Sequence, residues 1–335
     1  MSRADVALIL TSINRPNRVI ADLASGAFDN GWNFIVIGDK KSPVEYSYPG
    51  VEYYSLADQQ TIGFEYAREC PVGHYARKNI GYLIAAREKA KIIVETDDDN
   101  IPQNLFWLPR SRYITAPFQS GTGWVNVYRY FSDELLWPRG LPLDAVHSPT
   151  MPYEKMTAAH LDCPIQQGLA DENPDVDAVY RLLFPLPVSF SPGKHVILSQ
   201  GAWCPFNSQN TTWYSSAFPL MYLPAYCSFR MTDIWRSFVA QRIAWECGWS
   251  VYFHSATVRQ ERNEHNLMTD FADEIPGYLA NSTIKEKLAG LPLSEGVEFI
   301  GANLLMCYEM LTDEGLVGVG ELPLLETWLR DLGSM

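Results

Sequence analysis

The chain has 335 residues and a mass of 37.9 kDa, with 26 Lys and Arg against 39 Asp and Glu, a formal net charge of −13. An apolar share of 47% and a charged share of 19% exclude disorder and collagen-like structure. The negative field repels a phosphate backbone, which argues against nucleic acid as a partner, and no apolar run approaches the ~18 residues needed to span a bilayer.

The size suits about two domains, or one large α/β domain with an appendage. Residues 6–10 (VALIL) form a continuous apolar run, as expected of a strand buried on both faces. A helix over 18–28 follows, then strands at 32–37 and 51–55. Residues 75–89 read as a helix, because Ile80, Leu83 and Ile84 recur at helical spacing. A strand over 91–96 then runs into Asp97, Asp98, Asp99 and Asn100. Strands separated by helices predict a parallel α/β sheet. Pro and aromatic residues crowd 105–118 and 137–152, which predicts irregular loops and short antiparallel strands. Residues 233–248 are the best helix of the second half, with Gly248 placed to end it. A strand follows at 250–254. From about Glu274 onward the pattern is helical, with apolar spacing over 304–311 and 322–332. The expected division is a mixed-sheet α/β domain over 1–275 and a helical C-terminal extension over 276–335.

Six scattered cysteines contain no C-x-x-C pair, the pattern of reduced thiols. The first residues, MSRADVALILTS, have too short an apolar stretch for a signal peptide and read directly as a strand. The cytoplasm is the expected location.

The acidic triplet is the most informative stretch. Three adjacent carboxylates repel one another, whereas a hard divalent cation such as Mg2+ or Mn2+ rewards their proximity. The position also suits a ligand, since open α/β sheets bind ligands beyond the carboxyl ends of their strands. The alternative is a solvated acidic turn. There is no G-x-x-x-x-G-K-[ST], no strand-linked G-x-G-x-x-G, no G-x-S-x-G and no H-E-x-x-H. A phosphohydrolase with a strand-end Asp-x-Asp nucleophile stays open, although Asn100 stands where it would want Thr or Val.

The strand ending in this triplet resembles the Asp-x-Asp motif of glycosyltransferases with the GT-A fold. Together with HYARKNIGYLIA, VETDDDNIP, WPRGLPL, IQQGLADENPDVDAVYRL, PFNSQNTTW and FRMTDIWRSFVAQRIAWECG, it is similar to the STELLO-type family over about residues 4–280. More distantly it resembles the reversibly glycosylated polypeptides, which are UDP-arabinopyranose mutases. The resemblance implies a GT-A-like mixed sheet flanked by helices. It places Thr11, Ser12 and Asn14 at the nucleotide, or else at a helix cap. Asp39 would accept from the base or sit in a turn. Arg77 and Lys78 would meet the diphosphate or form an exposed helical face. Asp175 and Asp177 would line the acceptor side or start a helix. Arg139 lies near the segment that carries the self-glycosylated Arg of the mutases. Asp233 would serve as general base or be a plain N-cap or first-turn residue of a helix, and His254 would complete the metal site or be structural.

The leading expectation is thus a metal-dependent glycosyltransferase that uses a nucleotide-sugar donor, in particular a UDP-sugar, with Mn2+ or Mg2+ as cofactor and a glycan or small molecule as acceptor. A UDP-sugar mutase and a non-catalytic nucleotide-sugar-binding scaffold are the alternatives. An oligomer is left open.

Overall fold

The alternation of apolar runs and amphipathic stretches folds, in chain order, into β1 (Val6–Thr11), α1 (Arg18–Asp29), β2 (Asn33–Ile37), β3 (Glu52–Tyr54), α2 (Leu56–Thr61), α3 (Glu65–Glu69), α4 (Lys78–Arg87) and β4 (Ile92–Thr96). The computed structural model describes residues 5–43, 45–121, 123–263 and 266–334. β1 is apolar throughout because both of its faces are covered. Leu8 and Leu10 pack with Ile20 and Leu23 of α1, while Ala7 and Ile9 pack with Ile80 and Ile84 of α4. The first four strands are parallel, in the order β3-β2-β1-β4.

The second half adds β5 (Asn100–Pro102), β6 (Tyr113–Gln119), β7 (Gly123–Trp124), β8 (Ala158–Asp162), β9 (Ile165–Asp171), α5 (Ala178–Leu183), β10 (His195–Leu198), β11 (Ala202–Trp203), β12 (Asn210–Tyr214), α6 (Thr232–Glu246), β13 (Val251–Gln260), α7 (Leu267–Gly290), α8 (Ile300–Asp313) and α9 (Glu321–Gly333). From β4 the sheet continues through β12, β9, β13, β10, β6 and β8. β12 is antiparallel to both β4 and β9, which makes the sheet mixed. A large mixed sheet flanked by helices is the GT-A-like form that the resemblance implies.

Several elements depart from the expectation. The crowded stretch after residue 105 contains the seven-residue strand β6, and β13 runs for ten residues rather than five. Its register shifts between His254 and Val258, so its later half also pairs with β5 beside the acidic triplet. The helix expected from residue 75 opens as a 3-10 turn at Tyr75–Arg77 before α4 begins. α7 crosses the 275/276 division without a break, and Ile284, Leu304, Leu311 and Trp328 join the core that includes α4 and α6. Polar ties reinforce this. Asp331 accepts the backbone N–H groups of Glu65 and Tyr66, and Glu321 accepts those of Ala225 and Tyr226. No helix among the described residues is long and apolar enough to cross a membrane.

Candidate functional site

β1 and β4 are neighbouring parallel strands, so their carboxyl ends open on one edge of the sheet, where ligands of such sheets bind. A cavity of about 620 Å³ lies there. Its walls come from the end of β1 and the turn after it (Thr11, Ser12, Asn14), the triplet after β4, and the start of α6 with Arg139 and Asp175.

Each carboxylate of the triplet has its own partners. Asp97 Oδ1 accepts from Tyr75 Oη at 2.8 Å and lies 3.0 Å from Lys78 Nζ. Asp98 Oδ2 accepts from Ser12 Oγ at 2.5 Å and Asn14 Nδ2 at 3.0 Å. Asn17, which caps α1 through Oδ1, donates through Nδ2 to the Asp98 carbonyl and so ties that helix to the turn. Asp99 Oδ2 accepts from Gln260 Nε2 at 3.2 Å and from the Asn263 backbone at 3.4 Å. Asp99 Oδ1 is buried and has no partner. Burial, and next the charge of Asp97, push the Asp99 carboxyl up from the ordinary 3.8 to about 6. The fold thus offsets most of the repulsion in the triplet with neutral donors and one lysine.

That shift has a consequence for stability. Folded Asp99 holds its proton up to about pH 6, whereas unfolded Asp releases it near 3.8. The folded chain therefore binds more protons between those values, and stability falls as pH rises through them. In metal-free buffer Asp99→Asn should raise stability at pH 7 by up to about 3 kcal/mol. The gain should vanish below about pH 4, where both states are protonated. Thermal melts at pH 4 and pH 7 check this; an equal difference at both would refute it.

On the opposite wall Arg139 lies between two carboxylates. Its Nε and Nη2 donate to Asp175 at 2.8 and 2.9 Å, and its Nη1 and Nη2 donate to Asp233 at 3.0 and 2.9 Å. Burial alone would raise both carboxyls, but Arg139 outweighs it and holds both below the usual carboxylate range. Asp233 Oδ2 also accepts from the Ser208 backbone at 3.2 Å. Asp233 does not cap α6: it is the second helical residue, and its carboxylate turns to Arg139 and Ser208.

Of the residues expected at a ligand, Thr11, Ser12, Asn14, Asp39, Asp97, Asp98, Asp99, Arg139, Asp175 and Asp233 line this cavity. Asp39 is also a turn residue, accepting the backbone N–H groups of Lys40, Gly73 and His74. Arg77 borders the cavity, yet its guanidinium is fully buried and donates to Gln59 and to the Cys70 carbonyl, so it faces the core rather than a diphosphate. Lys78 is equally buried; its ammonium joins Asp97 to the Thr96 and Ser208 carbonyls and braces the site from beneath. Asp177 caps α5 by accepting from Tyr180 N and takes the Trp137 indole N–H, which leaves it outside the cavity.

His254 is outside too. It sits before the register shift of β13, with its ring against Gly168 of β9, where an added Cβ would lie 2.6 Å from His254 Cε1. Burial lowers its pKa to about 4, and Nδ1 donates to the Ser255 carbonyl. Residues absent from the expectation also line the cavity: Lys41, Ser208, Phe229, Arg230, Gln260, Arg262 and Asn263. Phe229 and Arg230 stand in the segment FRMTDIWRSF and Ser208 in PFNSQNTTW; Lys41 follows β2, and Gln260, Arg262 and Asn263 lie at and just beyond the end of β13. Among the described residues no group of three or more His, Cys, Asp or Glu side chains is arranged to hold a metal ion.

Comparison with known sequences adds to this picture. Residues 230–335 match the family described as STELLO glycosyltransferases. That region starts at Arg230, includes Asp233 and Arg262, and runs through α7, α8 and α9. A protein of Arabidopsis thaliana named "Probable glycosyltransferase STELLO2" is 30% identical over 267 residues, covering 72% of this chain and 34% of its own length. A second, "Probable glycosyltransferase STELLO1", is 29% identical over 324 residues, covering 90% of this chain and 41% of its own. The chain therefore spans about two-fifths or less of the length of these relatives. With the mixed sheet and the strand-end cavity already in place, these matches put the chain in the STELLO-type family.

Proposed function

We propose that the chain is a glycosyltransferase that binds a nucleotide-sugar, in particular a UDP-sugar, at the carboxyl ends of β1 and β4 and transfers the sugar to an acceptor beside Arg139, Asp175 and Asp233. The observation that carries this reading is Asp99 Oδ1, a buried carboxylate oxygen without a partner at the strand-end cavity. Buried polar atoms are almost always satisfied, so an orphan of this kind marks a place for a ligand. Asp97, Asp98 and Asp99 all line this cavity. Mn2+ and Mg2+ use one or two protein carboxylates and complete their shells with water and substrate phosphates, so a larger cluster is not required. Asp99 with Asp97 would hold such an ion, which when bound offsets the charge developing on a departing diphosphate.

The chain's own residues set up the rest. Ser12 and Asn14 fix Asp98, and Lys78 fixes Asp97. Phe229, 52% exposed, gives the cavity an apolar wall. Arg139 keeps Asp233 ionised, and Asp233 Oδ1 takes a single N–H, from Arg139, which leaves a lone pair for an acceptor hydroxyl proton. Arg139 itself is unsuited to carrying a sugar: its side chain is 6% exposed and all three of its nitrogens are engaged. This speaks against the mutase reading.

Calorimetric titration of UDP in EDTA and again in Mn2+ tests the proposal. Mn2+ should tighten UDP binding by tenfold or more, about 1.4 kcal/mol. Asp99→Ala should remove the metal effect. Equal affinities with and without Mn2+ in the unaltered chain would sink the metal-dependent reading.

A further inference from the structure

We propose that Arg230 and Arg262 form an oxyanion subsite in the same cavity, apart from the acidic triplet, which takes a phosphate or carboxylate group of a substrate. The inference rests on the cavity being a substrate site and not on the metal.

Both arginines line the cavity. Each is held from behind by one carboxylate of α7, and these two carboxylates are one helical turn apart. Arg230 Nε and Nη2 donate to Glu274 at 3.0 and 2.9 Å, and Arg262 Nη2 donates to Asp270 at 2.7 Å. Residues four apart share a helix face, so α7 places two guanidinium groups side by side despite their mutual repulsion. Both side chains are only 12% exposed. Arg262 Nε is buried and has no partner. The other carboxylate near both, Asp175, is already committed to Arg139 and Asn207.

The guanidinium groups of this wall act on one another. Burial first, and Arg230 next, hold Arg262 below the ordinary arginine range. A third guanidinium, Arg181, lies close enough for Arg262 and Arg230 to act on it and also has a buried Nε without a partner. An oxyanion entering the cavity would give Arg262 Nε the acceptor it lacks, and the planar guanidinium fork suits phosphate and carboxylate alike. Two sources share this chemistry: the diphosphate of the donor, or an acidic group on the acceptor.

Inorganic phosphate titrated into the full chain in EDTA is the test, with melting temperatures measured alongside. Saturable binding is expected, weakened roughly tenfold in Arg262→Gln. Arg262→Lys keeps a charge opposite Asp270 but loses the fork, so it should bind with intermediate affinity; it replaces Arg262→Gln if that variant does not fold. Phosphate displaced by UDP would assign the subsite to the donor diphosphate. Phosphate and UDP bound together would assign it to an acidic acceptor. No saturable binding, or unchanged affinity in folded Arg262 variants, overturns the proposal. A chain that binds UDP with Mn2+ but not phosphate would overturn this inference and leave the proposed function standing.

Discussion

Asp233→Asn is expected to slow sugar transfer by roughly 10²–10⁴-fold, the usual effect of losing a general base. Asparagine keeps the size of the side chain and one acceptor oxygen, but cannot take a proton from a hydroxyl. The change should leave the fold in place, because Asp175 retains its two bonds to Arg139 at 2.8 and 2.9 Å and Arg139 is not left without a counter-charge. UDP affinity in Mn2+ should stay within about twofold, since the triplet is untouched. Single-turnover rates of the two proteins, with a donor identified by thermal shift across nucleotide sugars, give the measurement. An unchanged rate would reduce Asp233 to a partner of Arg139 and move the search for a base to Asp175, the other cavity carboxylate on that arginine.

The largest loss of stability is expected from Arg236→Met. Arg236 and Glu95 are almost fully buried, and Arg236 holds Glu95 through two nitrogens at 2.9 and 3.0 Å. Trp213 Nε1 and the Tyr82 hydroxyl also donate to this carboxylate. Removing the arginine leaves a carboxylate inside the sheet with no opposite charge, which destabilises by about 3–5 kcal/mol. Urea unfolding should show a lower midpoint with an unchanged slope. Adding Glu95→Gln to Arg236→Met should restore much of the loss, because the uncompensated charge is then gone. A single variant that loses less than about 1 kcal/mol would contradict this account. The pair also serves the site: Arg236 Nη2 donates to the Asn207 carbonyl at 3.0 Å, beside Ser208, which meets both Asp233 and Tyr75.

The elements most legible in the sequence are those whose burial is strongly patterned. β1 and β4 are apolar runs because helices cover both faces, and α6 and α9 lie close to the expected bounds. β6, β9 and β12 are harder to see. Their polar residues find partners inside the sheet, as Gln167 does with the Asn210 carbonyl and Asn207 N, so no simple alternation marks them.

By itself the sequence determined the α/β class, the acidic triplet at the end of a buried strand and the STELLO-type resemblance, because each is a local pattern or a contiguous motif. The tertiary structure decided which charged residues face the cavity. Arg77 and Asp177 sit in motifs as suggestive as that of Asp233, yet a buried glutamine takes the first and the end of α5 takes the second. Arg262 carries no signal of its own and reaches the site because β13 shifts register and runs on past the triplet to α7. Where a charged side chain points depends on which distant donor or carboxylate compensates it, and the fold sets that choice across more than a hundred residues of chain, as between Arg236 and Glu95.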